Sequence, residues 1–341
     1  MKKLIALLLT ATLLLALAGC GSPDSGDAQG SGQNAGGQED SGREDRPLVA
    51  GVIQLADNGA FTDMREGFIG RVRELGYGEE RLKFEERNAQ GDMTNLNTIC
   101  QELVDSEVDF IVTIATPAAQ AIVNMESGIP VFFISVSNPV GAGIITDMAR
   151  PDKLATGTSN AIPVEEMFKL ADKLTPGIQS YGILYNTGEI NSVTTAANAK
   201  AYLEGQGLKA VEAVVTASSE VQQAAQNLAD QVDAIFVPND SMVQSAMPQV
   251  AEVAREAKIP VYGSSAVMVQ SGAFATISVS DTEIGAMTAD MADTYLKGTA
   301  IGDIPSVVVS SFTTVINKTT ADAIGAVLSQ DILDTAVFVG E

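Results

Sequence analysis

The 341-residue chain has no histidine, no tryptophan, two cysteines and 20 basic residues against 43 acidic ones. Lack of histidine removes the commonest general base and the commonest metal ligand together. Ser-His-Asp hydrolysis, Cys-His proteolysis and His-ligated zinc are therefore excluded, and an enzyme would have to work with paired carboxylates. No loop brings two acids together in that way, so no catalytic residue and no metal ligand is assigned. Neither a Walker loop nor a dinucleotide fingerprint is present, and no cofactor is implied. The formal charge of −23 disfavours nucleic acid and anionic lipid heads, whose recognition draws on lysine and arginine. Cys100, alone in a stretch of helical periodicity from Asp92 to Ser106, reads as a buried structural thiol.

The other cysteine closes a targeting segment. Lys2 and Lys3 precede an apolar run from Leu4 to Ala18, shorter than the ~20 residues that span a bilayer. Leu17-Ala18-Gly19-Cys20 resembles the lipobox of bacterial lipoproteins, which implies cleavage before Cys20 and a lipid on its thiol. Residues 1–20 are thus expected to be a lipoprotein signal peptide. Residues 21–46, rich in Gly, Ser, Asp, Gln and Asn, are expected to be a flexible linker reaching roughly 25–30 Å. The expected location is extracytoplasmic, lipid-anchored to the bacterial cell membrane.

From Pro47 onward, strand-like runs alternate with helix-length amphipathic segments, the signature of a parallel sheet covered on both faces. The pattern occurs twice. Gly51-Val52-Ile53 matches Gly182-Ile183-Leu184, Gly76 matches Gly207, Val108-Asp109 matches Val232-Asp233, and Ile129-Pro130-Val131 matches Ile259-Pro260-Val261. The order and near-constant spacing predict an α/β protein of two similar doubly wound parallel-sheet lobes joined by a multi-strand hinge. Residues 47–158 with 277–300 would form the N-terminal lobe, and 159–276 with 301–335 the C-terminal lobe. Met242 to Glu256 reads as one helix, and Ser306 to Ile316 as one strand.

In such sheets ligands bind beyond the carboxyl ends of the strands, where helices begin. Polar residues cluster at these points: Gln54, Asp57 and Asn58; Asn88; Thr116, Pro117 and Ala118; Ser137 and Asn138; Asn186, Glu189, Asn191 and Ser192; Asn239 and Asp240; and Ser264. Each could equally be a helix N-cap, the usual role of Ser, Thr, Asn and Asp at these positions. That plain reading is favoured for Asp92, Ser218 and Ser241, whereas the long polar stretch from Asn186 to Ser192 favours ligand contact.

Gly51-Val52-Ile53-Gln54-Leu55, Asn88-Ala89-Gln90-Gly91-Asp92, Ala115-Thr116-Pro117-Ala118-Ala119-Gln120, Asn138-Pro139-Val140-Gly141 and Val221-Gln222-Gln223-Ala224-Ala225 resemble ABC transporter substrate-binding lipoproteins of the TrpX-like, tryptophan/tyrosine group. The resemblance implies a type I periplasmic-binding-protein fold with a ligand in the cleft, and an ABC permease and ATPase as partners. The chain departs from the group's pattern at three places. It has Asp57-Asn58-Gly59 where a histidine is usual and Asn138 where an aspartate is usual. Near the last crossing it has Ser264-Ser265-Ala266 and Ser278-Val279-Ser280-Asp281 where an acidic residue and paired tyrosines are frequent.

The helix starts at Thr116–Ala118 and Asn191–Ser192 are expected to hold a carboxylate. Asp240, Glu189 or both would hold an ammonium, and Asn88, Asn138, Asn186 and Asn239 would supply neutral hydrogen bonds. The expected ligand is an amino acid or similar small zwitterion, its apolar side chain favoured by Phe61. A nucleoside-like metabolite, a ligand sensor and a surface adhesin of the same fold are the alternatives.

Overall fold

The computed structural model describes residues 46–340 apart from residue 162; the signal segment, Cys20 and nearly all of the linker lie outside the described residues. The first lobe opens with β1 (Leu48–Gln54), α1 (Gly59–Glu74), β2 (Leu82–Asn88), α2 (Met93–Asp105), β3 (Phe110–Ile114), α3 (Thr116–Val123), β4 (Val131–Ile134) and β5 (Ala155–Ser159). The chain then crosses to the second lobe. There it forms α4 (Val164–Leu174), β6 (Ser180–Asn186), α5 (Ile190–Gly205), β7 (Lys209–Val215), α6 (Val221–Ala229) and β8 (Ala234–Phe236). This lobe continues with α7 (Ser241–Ser245), α8 (Met247–Ala257), β9 (Val261–Tyr262), α9 (Ala266–Gln270) and β10 (Ala275–Ser278). A second crossing leads back to α10 (Asp281–Leu296) and β11 (Val307–Val308) of the first lobe. A third returns to the second lobe for β12 (Thr313–Asn317), α11 (Lys318–Ile324), α12 (Gln330–Thr335) and β13 (Val337–Val339).

The sheets run β11-β5-β4-β3-β1-β2 and β13-β12-β10-β9-β8-β6-β7. All pairings are parallel except β10 with β12. Shared chemistry makes the lobes alike. A Cβ on Gly51 in β1 would stand 2.9 Å from Leu103 of α2, and one on Gly182 in β6 would stand 3.0 Å from Leu228 of α6. Each glycine therefore lets one leucine lie flat on its sheet. Asp109 accepts from the N–H of Val49 at 2.8 Å, while Asp233 accepts from the N–H groups of Gln179 and Ser180 at 3.0 and 2.9 Å. In both lobes an aspartate before the third strand thus ties down the start of the first.

Three expectations are corrected. Residues 301–309 do not stand with the second lobe, since Val307 and Val308 pair with Thr158 and Ser159 of β5 in the first sheet. The stretch from Ser306 to Ile316 is consequently two strands in different lobes. The helix expected from Met242 to Glu256 breaks at Ala246 into α7 and α8, because Pro248 in the first turn of α8 lacks an N–H and cannot extend the helix before it.

Buried apolar residues such as Phe110, Phe132 and Phe133 fill the first lobe, and two clusters on either face of the second sheet fill the other. Cys100 is buried in the first core with its thiol pushed up to about 11 by burial, which suits an unreactive structural role. The helices α1 and α10 cross at a contact that only glycine allows. A Cβ on Gly67 would lie 2.2 Å from the carbonyl oxygen of Thr282, and one on Gly285 would lie 2.1 Å from that of Met64. This contact sets the start of α10 against the middle of α1, at the edge of the cleft between the lobes. Across that edge Val267 of α9 packs into the first lobe's core, 3.5 Å from where a Cβ on Gly59 would stand.

Candidate functional site

The cleft between the lobes spans about 660 Å³, its open mouth included. All three crossings line it: Asn160, Ala161 and Pro163 from the first, Ser278 and Val279 from the second, and Phe312 from the third.

The first lobe contributes a strained floor. Ala115 and Ser135 follow β3 and β4 with φ of 73° and 62°, a left-handed region that costs a non-glycine residue of order 1–3 kcal/mol. Neighbouring strands hold both in place: the N–H of Ala115 donates to Ile134 at 3.0 Å, and that of Ser135 to the Thr158 hydroxyl at 3.3 Å. The turn at Ala115 starts α3 with Thr116 facing the cleft, Pro117 behind it and no side chain capping the first turn. First-turn N–H groups have no intrahelical acceptor, so this end is set to receive an anionic oxygen.

In the second lobe, Asn191, Asn239, Asp240, Ser241, Gln244, Ser264 and Ser265 line the cleft. A layer of support stands behind them. Asn191 donates through Nδ2 to the carbonyl of Asn239 at 2.6 Å, and the Ser192 hydroxyl donates to the same oxygen at 2.9 Å. Asp240 accepts from the N–H of Asn186 at 2.6 Å and of Val243 at 2.9 Å, capping α7. Glu189 accepts from the N–H and hydroxyl of Ser241 at 3.1 Å. Burial, joined by the charge of Asp240, raises the pKa of the Glu189 carboxyl, and burial likewise raises that of Asp240. Of the second lobe's described residues, two leave a buried polar atom without a partner: Asn191 its acceptor Oδ1 and Asn239 its donor Nδ2. Buried polar atoms are nearly always paired, so these two mark where a ligand would bond.

One acid in the cleft has no partner. Asp281 opens α10, is half-buried, and neither accepts a hydrogen bond nor forms an ion pair among the described residues. Burial, and then the charge of Asp63, push its carboxyl up to about 7. No lysine or arginine lines the cleft. Ala60, Phe61, Met64, Val279 and Phe312 supply its apolar surface.

Of the residues expected from sequence, Thr116, Ser137, Asn191, Asn239, Asp240 and Ser264 meet in the cleft. Pro117 and Ala118 are buried in α3, and Asn186, Glu189 and Ser192 belong to the supporting layer. Gln54 and Asn88 line a separate surface cavity of about 280 Å³ with Arg65, Glu86 and Arg87. Asp57 is exposed, and Asn58 caps α1 by accepting from the N–H of Phe61 at 3.0 Å. Asn138 is exposed and holds a turn by accepting from Gly141 at 2.8 Å. Asp240 and Glu189, expected to hold an ammonium, both accept from backbone N–H groups, and of the two only Asp240 lines the cleft. Asp281, Ser135, Asn160, Gln244 and Phe312 were not anticipated. For Asp281 the available signal was an acid just after a crossing. Among the described residues no cluster of acids, cysteines or histidines could hold a metal ion.

Two sheets with helices on both faces, three crossings and a cleft at the strand ends define a type I periplasmic-binding-protein fold. The chain belongs to the ABC transporter substrate binding protein family, which it matches over residues 49–339. It is 31% identical to a tyrosine-binding protein of Clostridioides difficile (strain R20291) over 95% of this chain and 92% of that one. It resembles the ABC domain in complex with L-Trp from Streptococcus pneumonia at TM-score 0.83 and 31% identity, covering 86% of this chain and 99% of the other. With the ligand-free, open structure of a Clostridium difficile substrate-binding protein with adhesive properties, the TM-score is 0.67 at 30% identity and the same coverage of 86% and 99%. The chain is thus an ABC substrate-binding protein, a class that binds a small molecule outside the cytoplasm and works with an ABC transporter.

Proposed function

We propose that this substrate-binding protein captures an amino acid with an aromatic side chain and delivers it to an ABC permease and its ATPase. The observation that carries this reading is Asp281, an unpartnered carboxylate in a cleft without a cation, together with the uncapped start of α3. An ammonium meets the first and a carboxylate meets the second, while a sugar needs neither and a phosphate would call for lysine or arginine. Asn239 Nδ2 adds a donor for the carboxylate, and Phe61, Met64 and Phe312 offer apolar surface for a ring. The two relatives described as binding tyrosine and L-Trp agree with this chemistry. The protein acts as a carrier without turnover, held at the outer membrane face by a lipid on Cys20. The test is a thermal-shift panel of the twenty amino acids with nucleosides and sugars. Ligand at about 100 times its Kd adds about 2.7 kcal/mol of stability. Shifts confined to nucleosides or sugars would overturn the assignment.

A further inference from the structure

A second cavity, about 760 Å³ with its open mouth included, lies on the β5–β11 side of the cleft and shares Ser137, Ala161 and Asn191 with it. Its walls come from both lobes. One is the polar face of α5, where Asn191, Thr194, Thr195 and Asn198 follow one another at helical spacing. The other is apolar, built chiefly from Pro139, Met148 and Val308. No charged residue lines the chamber, so a group with a net charge would lose its hydration there without compensation.

Two features point to an occupant. The Thr195 side chain is 93% buried and lines this chamber, yet its hydroxyl has no hydrogen-bond partner among the described residues, not even the carbonyl one turn back. Beside it Asn191, 92% buried, presents the unpartnered acceptor Oδ1. A neutral chamber with an apolar wall and two idle acceptors fits a flat ring carrying one donor. Resting on the amino-acid reading above, we infer that the chamber receives the far end of an aromatic side chain bearing a phenol hydroxyl or an indole N–H. Thr195 and Asn191 select that donor over a plain phenyl ring. A ring without the donor leaves both acceptors unpaired, and sites built around such a bond reject the analogue lacking it.

Titration calorimetry on the full chain with tyrosine, phenylalanine and O-methyltyrosine tests this directly. Tyrosine is expected to bind at least about tenfold more tightly than the other two. Thr195→Val, which keeps the shape and removes the hydroxyl, should lower the phenylalanine-to-tyrosine ratio of Kd several-fold without weakening phenylalanine. Thr195→Ser should retain the wild-type ratio. Equal binding of tyrosine and phenylalanine by the wild type, or an unchanged ratio in Thr195→Val, overturns the chamber assignment alone. Failure of these three and of tryptophan to bind removes the aromatic amino-acid reading and this inference with it.

Discussion

Replacing Asp281 with Asn separates the charge of this carboxylate from its shape. At an effective dielectric of about 20, an ammonium about 4 Å from a carboxylate gains about 4 kcal/mol. Part of that is lost in dehydrating the two ions, and a charge-assisted hydrogen bond nets about 1.5–3 kcal/mol. The variant should therefore bind its amino acid about 10- to 150-fold more weakly by titration calorimetry. The pH profile carries a second signature. With its carboxyl at about 7 in the empty cleft, Asp281 is largely protonated at pH 6 and largely ionised at pH 8. Affinity in the wild type should rise as pH rises through 7 and then level off, with protons released on binding; in Asp281→Asn the profile should be flat across this window.

The empty protein should behave oppositely. Because folding raises this pKa from 3.8, the folded state holds the proton more tightly than the unfolded one, and ionisation weakens the fold as pH rises from about 4 to about 7. Asp281→Asn should thus leave the unliganded melting temperature at pH 8 unchanged or raised. A variant that binds within threefold of the wild type and keeps the same pH slope would refute the ammonium assignment.

Val267→Asp places a charge in the contact between the lobes, where burying the valine is worth up to about 1.5–3 kcal/mol. Small-angle scattering should show a larger radius of gyration at subsaturating ligand, with affinity reduced at least tenfold; an unchanged profile would dismiss that contact as a closing element. Gly285→Ala must force α10 away from α1, so a melting temperature lowered by several degrees and weaker ligand binding are expected in thermal shift and calorimetry. Cys20→Ala should release the protein from the membrane fraction or block its processing, and a variant processed and retained as before would exclude the lipid anchor.

Strand runs with β-branched and aromatic residues, such as Phe110–Ile114 and Val131–Ile134, are readable from sequence because burial on both faces demands them. β5, with the sequence Ala-Thr-Gly-Thr-Ser, is just as buried but carries no large apolar side chain, so it escapes the pattern. Gly157 shows why its residues are small: a Cβ there would lie 1.9 Å from the Phe133 carbonyl oxygen. The polar clusters after the strands are legible in the sequence, but which of their members cap helices and which line the cleft is not. Asp240 and Glu189 look as available in sequence as Asp281 does. They differ only in what reaches them: two backbone N–H groups at Asp240, the Ser241 N–H and hydroxyl at Glu189, and nothing at Asp281. That distinction depends on how α10 rests on α1 at Gly67 and Gly285, a contact between distant segments that no local pattern encodes.

The edge strand β11 and the helix α10 complete the first lobe only after nearly all of the second has been made. During synthesis the first sheet must wait, its β5 edge unpaired and the apolar face under α10 uncovered, until residues near 309 emerge. Neither lobe is a continuous stretch of chain, so a cut at any one crossing frees no independent domain. Heating should therefore show both lobes melting in a single calorimetric transition, and limited proteolysis at a crossing should yield fragments that stay associated until denatured.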